Sequence, residues 1–466
     1  MVIKNICCIG AGYVGGPSMA VIALKCPHLN ITVVDSDTKK INLWNGHLDH
    51  LPVFEPGLPD IIKKVRGKNL FFSNNIKSAI EKSEVIFMAV NTPTKEEGEG
   101  AGMAIDLCYV EACANDIAKY SKSDKIVIEK STLPVRTAEK IKEILEKNST
   151  GIQFEILSNP EFLAEGTAIE DLFKSDRVLI GGEQTNSGQE AVKILMDIYS
   201  NWIPKNKILT TNIWSSELAK LASNAMLAQR ISSINSFSAL CEKTGADIDQ
   251  LSNAIGMDHR IGPKFLKVSA GFGGSCFQKD ILNLVYLCQH YGLNEVAEYW
   301  MHVVKINNYQ RKRIAREIID QLDNNQAQKK ITLLGWAFKK NTNDSRESAS
   351  IYIADILISK NCRVHVFDPK VKEASIIRDL KNLWLSKGLT IKKINLRLKK
   401  LLIHNSMNSA ISNSSGIVVI TEWDEFKNYN WKNLIEYSNT TKFIYDCRNI
   451  LEKDDIPKNI KFLKIG

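Results

Sequence analysis

The chain of 466 residues predicts an α/β fold in which two doubly wound parallel sheets are joined by a helical middle. Three observations carry that prediction. Short apolar runs alternate with longer amphipathic stretches over the first 212 residues, the rhythm of β-α-β units. From Ser215 to about Thr244 few glycines and no proline interrupt what reads as one long linking helix, and helical patterns continue to about Asp323. The alternation of strand and helix then restarts at Ile331.

Taken in order, Ile3–Ile9 is a compact apolar run and reads as a buried strand. It meets Gly10-Ala11-Gly12-Tyr13-Val14-Gly15, then a helical stretch to about Lys25. A second strand, Ile31–Val34, ends at Asp35. Further strands are expected at Val85–Val90, Lys125–Ile128, Phe154–Leu157 and Val178–Ile180. The first three of these run into the polar turns Asn91-Thr92-Pro93-Thr94, Lys130-Ser131-Thr132 and Ser158-Asn159-Pro160-Glu161. Ligands of open parallel sheets bind beyond the carboxyl ends of strands, so these turns are the expected wall of a cofactor site. The polar segment 323–328 reads as a linker. Beyond it, Ile331–Leu334 is a strand, Ser348–Ser359 a helix, and Arg363–Phe367 a strand ending at Asp368; Gly416–Ile420 and Phe443–Tyr445 are strands as well. The expected division is 1–212, a Rossmann-like dinucleotide domain; 213–323, a helical domain; and 324–466, a second Rossmann-like domain.

An apolar fraction of 44% and a charged fraction of 24% are those of an ordinary globular protein. The net charge of +9 suits anionic ligands but is too scattered to argue for nucleic acid. Its densest basic run, Lys392 to Lys400, reads as a solvated face. None of the 10 cysteines forms a C-x-x-C pair, which points to reduced thiols in a cytoplasmic protein. The 8 histidines form no ligand cluster, so no metal site is expected. No apolar run approaches the roughly 20 residues of a membrane span.

A lone G-x-G-x-x-G is weak, but here it follows a strand, opens a helix and precedes an acidic residue at the end of the next strand. Gly10 serves the tight turn, Gly12 admits a pyrophosphate, and Gly15 lets helix and strand pack. Asp35 is placed to accept from ribose hydroxyls and to repel a 2′-phosphate, which selects NAD over NADP; the motif alone also admits FAD. The second α/β region offers only Gly335-Trp336-Ala337-Phe338-Lys339-Lys340. Its aromatics and lysines suit the base and phosphates of a different nucleotide ligand.

The stretch Gly271-Phe272-Gly273-Gly274-Ser275-Cys276-Phe277-Gln278-Lys279-Asp280 sets a cysteine after a glycine-rich turn, with a carboxylate four positions on. At the start of a helix such a thiol is acidified by unpaired N–H groups; elsewhere Cys276 would be a buried structural thiol. Lys220 and Asn224 share a helical face and are either a solvated pair or a cation and an amide aimed into one cleft. Glu161 and Glu165 are either functional carboxylates or helix N-terminal charges. Thr132 is a site residue or an N-cap, and Arg346 a ligand group or a surface ion-pair partner.

Together, Gly10 to Gly16, Asn91 to Thr94, Glu129 to Pro134, Ser158 to Ala168, Trp214 to Asn224, Phe265 to Asp280, Phe338 to Ser348 and Asp446 to Asn449 resemble the UDP-glucose 6-dehydrogenase family over nearly the whole chain, with the animal-type enzymes most similar. The resemblance implies a four-electron oxidation of UDP-glucose to UDP-glucuronate with two NAD reduced in turn. It implies Cys276 as the nucleophile that passes through a thiohemiacetal and a thioester. Lys220 and Asn224 would stabilise the oxyanion, Asp280 and Thr132 would handle protons, and Glu161 would assist thioester hydrolysis. For the cofactor it implies Gly10, Ala11, Gly12, Tyr13, Val14, Gly15, Asp35, Lys40, Val90, Asn91, Thr92, Pro93, Thr94, Ser131, Thr132, Leu133, Glu165, Lys279 and Arg346. For the UDP-sugar it implies Glu161, Phe162, Leu163, Ala164, Glu165, Lys220, Asn224, Lys267, Phe272, Gly273, Phe277, Phe338, Lys339 and Arg448. Arg260 would reach the sugar of a second subunit, which implies a homodimer or hexamer with the long helix at the contact. Lys40 replaces a common arginine and Cys447 a common glycine beside Arg448. The alternatives are a sister dehydrogenase for GDP-mannose or a UDP-N-acetyl sugar, and a non-catalytic nucleotide-sugar binder.

Overall fold

The computed structural model describes residues 3–149, 151–322, 329–433, 438 and 440–466. The chain divides into two compact units, 1–223 with 282–292, and 224–281 with 293–466. The polar segment 323–328, expected to be a linker, lies outside the described residues.

The first unit holds strands β1 (Asn5–Ile9), β2 (Asn30–Val34), β3 (Leu70–Ser73), β4 (Val85–Met88), β5 (Lys125–Glu129), β6 (Phe154–Ser158), β7 (Val178–Gly182) and β8 (Ile208–Asn212). Their order is β3-β2-β1-β4-β5-β6-β7-β8, and every pairing is parallel except β6 with β7. β4, β5 and β7 are buried along their whole length because helices cover both faces, which explains why they read as unbroken apolar runs. Side chains alternate across the sheet, so Cys8 joins the core around Met19 and Trp44, while Cys7 joins the one around Ile86 and Val110. Burial pushes the Cys8 thiol up to about 12 and the Cys26 thiol to about 11, which makes both packing residues rather than nucleophiles. β1 pairs with both β2 and β4, so the strand order reverses beside it, where parallel sheets bind ligands.

The second unit holds β9 (Lys330–Leu334), β10 (Arg363–Phe367), β11 (Leu401–Ile403), β12 (Gly416–Val419), β13 (Phe443–Asp446) and β14 (Lys461–Lys464), all parallel in the order β11-β10-β9-β12-β13-β14. Its order reverses between β9 and β12. One continuous core runs through it, filled by Trp336, Trp384 and Trp431. Helices Ile248–Gly256 and Asn294–Asp320 supply the helical part. The basic run expected to be a solvated face is the helix Ile391–Leu398, with Lys392 and Lys393 exposed and Arg397 turned to Asp355 at 2.8 Å.

All the strands expected from sequence are present. The four it did not give, β3, β8, β11 and β14, are the two outer strands of each sheet. Edge strands are covered less completely; β8 and β14 mix polar with apolar residues, as in Ile-Leu-Thr-Thr-Asn of β8, while β3 and β11 are largely apolar but only 4 and 3 residues long. The long helix is Ile213–Thr244. Among the described residues no helix is long and apolar enough to cross a membrane, and no three His, Cys, Asp or Glu side chains gather as metal ligands.

Candidate active site

In the first unit the turn after β1 is shaped by its glycines. Gly10 has φ 112° and donates its N–H to Val34 at 2.8 Å; a Cβ there would lie 2.2 Å from the Ala89 carbonyl oxygen. A Cβ on Gly15 would lie 2.0 Å from the Gly10 oxygen, so helix and strand approach as closely as expected. A Cβ on Gly12 would meet nothing within 4 Å, so the space over this residue is open. The helix Gly15–Lys25, which has no side-chain cap, opens at this turn; Gly16 and Ser18 donate to the Gly12 and Val14 carbonyls at 3.1 Å, and the positive end of the helix faces that space.

Asp35, at the end of β2, accepts from the Ala11 N–H at 2.9 Å, the Asp37 N–H at 3.0 Å and Lys40 Nζ at 2.8 Å. Burial opposes its ionisation, but these hydrogen bonds outweigh it and hold the carboxyl below its ordinary value. An open phosphate cradle beside a fixed carboxylate fits a dinucleotide that lacks a 2′-phosphate. Lys40 is the ion-pair partner of Asp35, and a lysine suffices for that monodentate contact.

The turns after β4 and β5 are tied together by Ser131, whose hydroxyl donates to the Val90 carbonyl at 2.7 Å. Thr94 bridges to Ile105, and the Pro93 carbonyl accepts from the Asp106 N–H at 2.7 Å. Leu133 is buried, while Tyr13, Val14, Thr92 and Thr132 are half-buried and Asn91 is exposed. The following helix begins at Thr137 with Arg136 as its N-cap, so Thr132 is not a cap.

Glu161 and Glu165 lie on an irregular loop, since the next helix begins only at Ala168; the helix-terminus reading of this pair is therefore set aside. One oxygen of Glu161 accepts the N–H groups of Phe162 and Leu163 at 2.9 and 3.2 Å. The other lies 2.8 Å from Lys130 Nζ. Burial would raise this carboxyl, but Lys130, Lys220 and the Phe162 N–H together outweigh burial and lower it. Ala164 is exposed, with its N–H on Asp171 at 2.9 Å. Lys220 is buried, with its ammonium 5.3 Å from the centre of the Phe162 ring, so the solvated reading of this lysine fails.

In the second unit, Cys276 is exposed at the start of the helix Phe277–His290, and its carbonyl accepts the Asp280 N–H at 2.8 Å. That is an N-cap position, which sets the thiol beside the first N–H groups of the helix. Ser275 Oγ is 3.4 Å from the sulfur. The preceding loop needs its glycines: Gly271 and Gly274 have φ 125° and 87°, and a Cβ on Gly273 would lie 2.6 Å from the Glu347 carbonyl oxygen. Phe272 is clasped by two residues of one helix. Asn307 Oδ1 accepts its N–H at 2.8 Å, and Arg311 donates to its carbonyl and to that of Glu347, each at 2.7 Å. The Phe277 ring meets Phe272 edge-on at 5.9 Å. Asp280 is fully buried; one oxygen accepts from Asn224 Nδ2 at 2.6 Å, and the other is 3.5 Å from Lys279 Nζ. Asn224 is thus a buried partner rather than a surface amide.

The loop after β9 lies against the same glycines. A Cβ on Gly274 would be 3.1 Å from the Phe338 ring, and the Gly274 N–H donates to Arg346 at 2.8 Å. Arg448 donates to the carbonyls of Phe338 and Ile420, each at 2.8 Å, so Cys447, buried just before it, does not unseat it. Lys339 Nζ is 5.6 Å from the Phe338 ring centre. Arg346 grips Asp344 with both arms, which makes it at least an ion-pair partner. Trp336, expected with Phe338 to face a ligand, is a core residue with no exposure, and Lys340 is paired with Asp424. Arg260 and Lys267 are exposed, Arg260 closing on Asp258 at 2.6 Å.

Lys130, Tyr199, Asn307 and Arg311 did not stand out as side chains in the sequence. Lys130 had a signal, a lysine directly after the strand β5 with its apolar centre Ile126-Val127-Ile128. Asn307 and Arg311 sit on a long polar helix and resemble solvated residues until their burial is known.

The NAD binding domain of the UDP-glucose/GDP-mannose dehydrogenase family matches residues 4–203, its central domain 214–309 and its UDP binding domain 332–453. The chain is 53% identical over 456 residues to UDP-glucose 6-dehydrogenase 3 of Arabidopsis thaliana, covering 97% of this chain and 94% of that one. It is 52% identical over 458 residues to UDP-glucose 6-dehydrogenase 1 of Glycine max, with the same 97% and 94% coverage. A solved UDP-glucose dehydrogenase from Pyrobaculum islandicum superposes with a TM-score of 0.81 at 26% identity, covering 100% of this chain and 98% of the other. This chain belongs to the UDP-glucose/GDP-mannose dehydrogenase family.

Proposed function

We propose that the chain oxidises carbon 6 of UDP-glucose from alcohol to carboxylate, a four-electron change that yields UDP-glucuronate. The observation that carries the reading is Cys276, an exposed thiol at a helix N-cap behind a glycine loop pinned by buried side chains. Relatives above 50% identity named UDP-glucose 6-dehydrogenases favour this sugar over GDP-mannose or a UDP-N-acetyl sugar.

When bound at the turn after β1, NAD supplies the hydride acceptor for each of the two oxidations. Between them the Cys276 sulfur bonds to the aldehyde carbon, and the resulting thiohemiacetal keeps a reactive intermediate on the protein. Loss of the second hydride leaves a thioester, which water cleaves to the carboxylate. Lys220 offers a buried cation for the oxyanion and Asn224 an amide donor. Asp280 and Thr132 handle protons in the oxidations, and Glu161 accepts the proton of the hydrolytic water. Phe338, Lys339, Arg448, Lys267 and the 272–277 loop hold the uridine diphosphate. Glu165, Lys279 and Arg346 contribute to holding the dinucleotide.

The division 1–212, 213–323 and 324–466 is our reading of the domains, supported by the three matched segments. Met226, Phe237 and Leu240 form an exposed apolar stripe on Ile213–Thr244, as expected if that helix pairs with a second copy. Arg260 would then serve the sugar site of that copy, in a homodimer or hexamer working in the cytoplasm. Light scattering that finds only monomer at assay concentration would refute this assembly.

The test is NADH stoichiometry over a panel of nucleotide sugars. UDP-glucose should yield two NADH per molecule while the others yield little; a ratio of one, or preference for another sugar, would overturn the assignment.

A further inference from the structure

We infer that Lys130 is a positioning residue for the hydrolytic step: it fixes the carboxylate of Glu161 and keeps that carboxylate in its basic form. The inference rests on the role given to Glu161 above.

Lys130 follows the last residue of β5, and its side chain is only 3% exposed. An ammonium has three N–H groups. Those of Lys130 face Glu161 Oε2 at 2.8 Å, Asn159 Oδ1 at 3.0 Å and Tyr199 OH at 3.2 Å. Tyr199 OH donates in turn to Asn159 Oδ1 at 2.7 Å, which closes the network. With its donors spent, Lys130 has none left for a ligand. Its effect is exerted through Glu161, whose other oxygen is fixed by two backbone N–H groups.

The charged and titratable groups facing this pair come from several elements. Lys220 from the helix Ile213–Thr244 adds a second positive charge near Glu161. Tyr199 closes the helix Asn186–Tyr199, and Cys8 on β1 feels the Lys130 charge. Ser18 Oγ, from Gly15–Lys25, is 3.4 Å from Glu161 Oε2. Burial works against both partners, yet the groups around them together outweigh it: Lys130, Lys220 and the Phe162 N–H lower Glu161, and Glu161 with Tyr199 raises Lys130.

The step concerned balances as follows. The oxygen of water bonds to the thioester carbonyl carbon and one of its protons passes to Glu161. The C–S bond breaks and its electron pair returns to the Cys276 sulfur. The acid so formed releases the remaining proton to solvent. A base held low on the pH scale stays competent in mildly acid solution. Without Lys130 the same carboxylate would be buried with less counter-charge and would take up a proton sooner.

The experiment is single turnover with UDP-glucose and NAD at pH 5 to 8, following decay of the covalent adduct by quench and intact mass. Lys130→Met should raise the acid limb of hydrolysis by about one pH unit or more, with the rate recovering toward pH 8. Tyr199→Phe should move it the same way by less, which decides the matter if Lys130→Met fails to fold. Lys130→Arg, which keeps the charge, should leave the limb low. Glu161→Gln is the reference and should slow decay at every pH. If Glu161→Gln slows decay but Lys130→Met and Tyr199→Phe leave the limb unmoved, or lower the rate equally at all pH, the role of Lys130 is overturned. If Glu161→Gln decays like the parent, the assignment of Glu161 itself falls and takes the inference with it.

Discussion

The two sheets repeat one device and use it differently. Gly10 and Gly335 each follow the central strand of their sheet with a left-handed φ, 112° and 100°, and each donates its N–H to the end of the neighbouring strand at 2.8 Å. A Cβ would collide in both, with Ala89 at 2.2 Å and with Thr421 at 2.3 Å. Each neighbouring strand is followed by an aspartate, Asp35 and Asp368, that accepts from the turn. There the likeness ends. Two residues past Gly10 stands Gly12, with open space above it; two past Gly335 stands Ala337, buried and bonded through its carbonyl to Thr421 at 2.7 Å. Asp368 spends itself on five protein donors: the N–H groups of Trp336, Ala337, Lys370 and Val371, and the Trp423 indole. An acidic residue after the second strand is thus not a ribose reader by position alone. It also needs an open turn beside it and acceptor capacity to spare.

That contrast can be broken by titrating NAD against variants of both turns. Gly12→Val, set in open space, should leave Tm nearly unchanged while weakening NAD by about 100-fold or more, because it fills the phosphate cradle. Asp35→Asn should weaken NAD by about 10-fold and narrow the preference over NADP, through a lost charge-assisted contact. Asp368→Asn should leave NAD affinity within about twofold yet destabilise the fold by roughly 1–3 kcal/mol, since buried donors lose their acceptor. Equal loss of NAD affinity in Asp368→Asn would show that the two turns had been told apart wrongly.

How much of this was legible in the sequence follows from burial. The central strands, covered on both faces, read as apolar runs; the edge strands β8 and β14 were missed because they carry a mixed pattern, and β3 and β11 because 4 and 3 residues are too short a run to stand out. The first turn was legible because two of its glycines, Gly10 and Gly15, are required by close approach, and close approach leaves glycine in the sequence. The glycine loop before Cys276 was legible for the same reason, since Phe338 and Glu347 crowd it. The supports of these sites were not. Lys130, Asn307 and Arg311 are polar residues whose function depends on being buried against distant segments, and local spacing holds no record of that. Trp336 was misjudged as facing a ligand because an aromatic after a strand is equally at home in a core. Glu161 and Glu165 carried the spacing of a helix but lie on a loop, fixed in part by Glu55, which accepts the Gly166 and Ala168 N–H groups from 111 and 113 positions away.

Intact-mass analysis of acid-quenched turnover, parent beside Cys276→Ser, tests the central claim most directly. The parent should carry a sugar-nucleotide adduct on the peptide containing Cys276 and release two NADH per UDP-glucose, whereas the serine variant should carry none and fail at the second oxidation. Two NADH per UDP-glucose from the variant at the parent's rate would contradict covalent catalysis by this thiol.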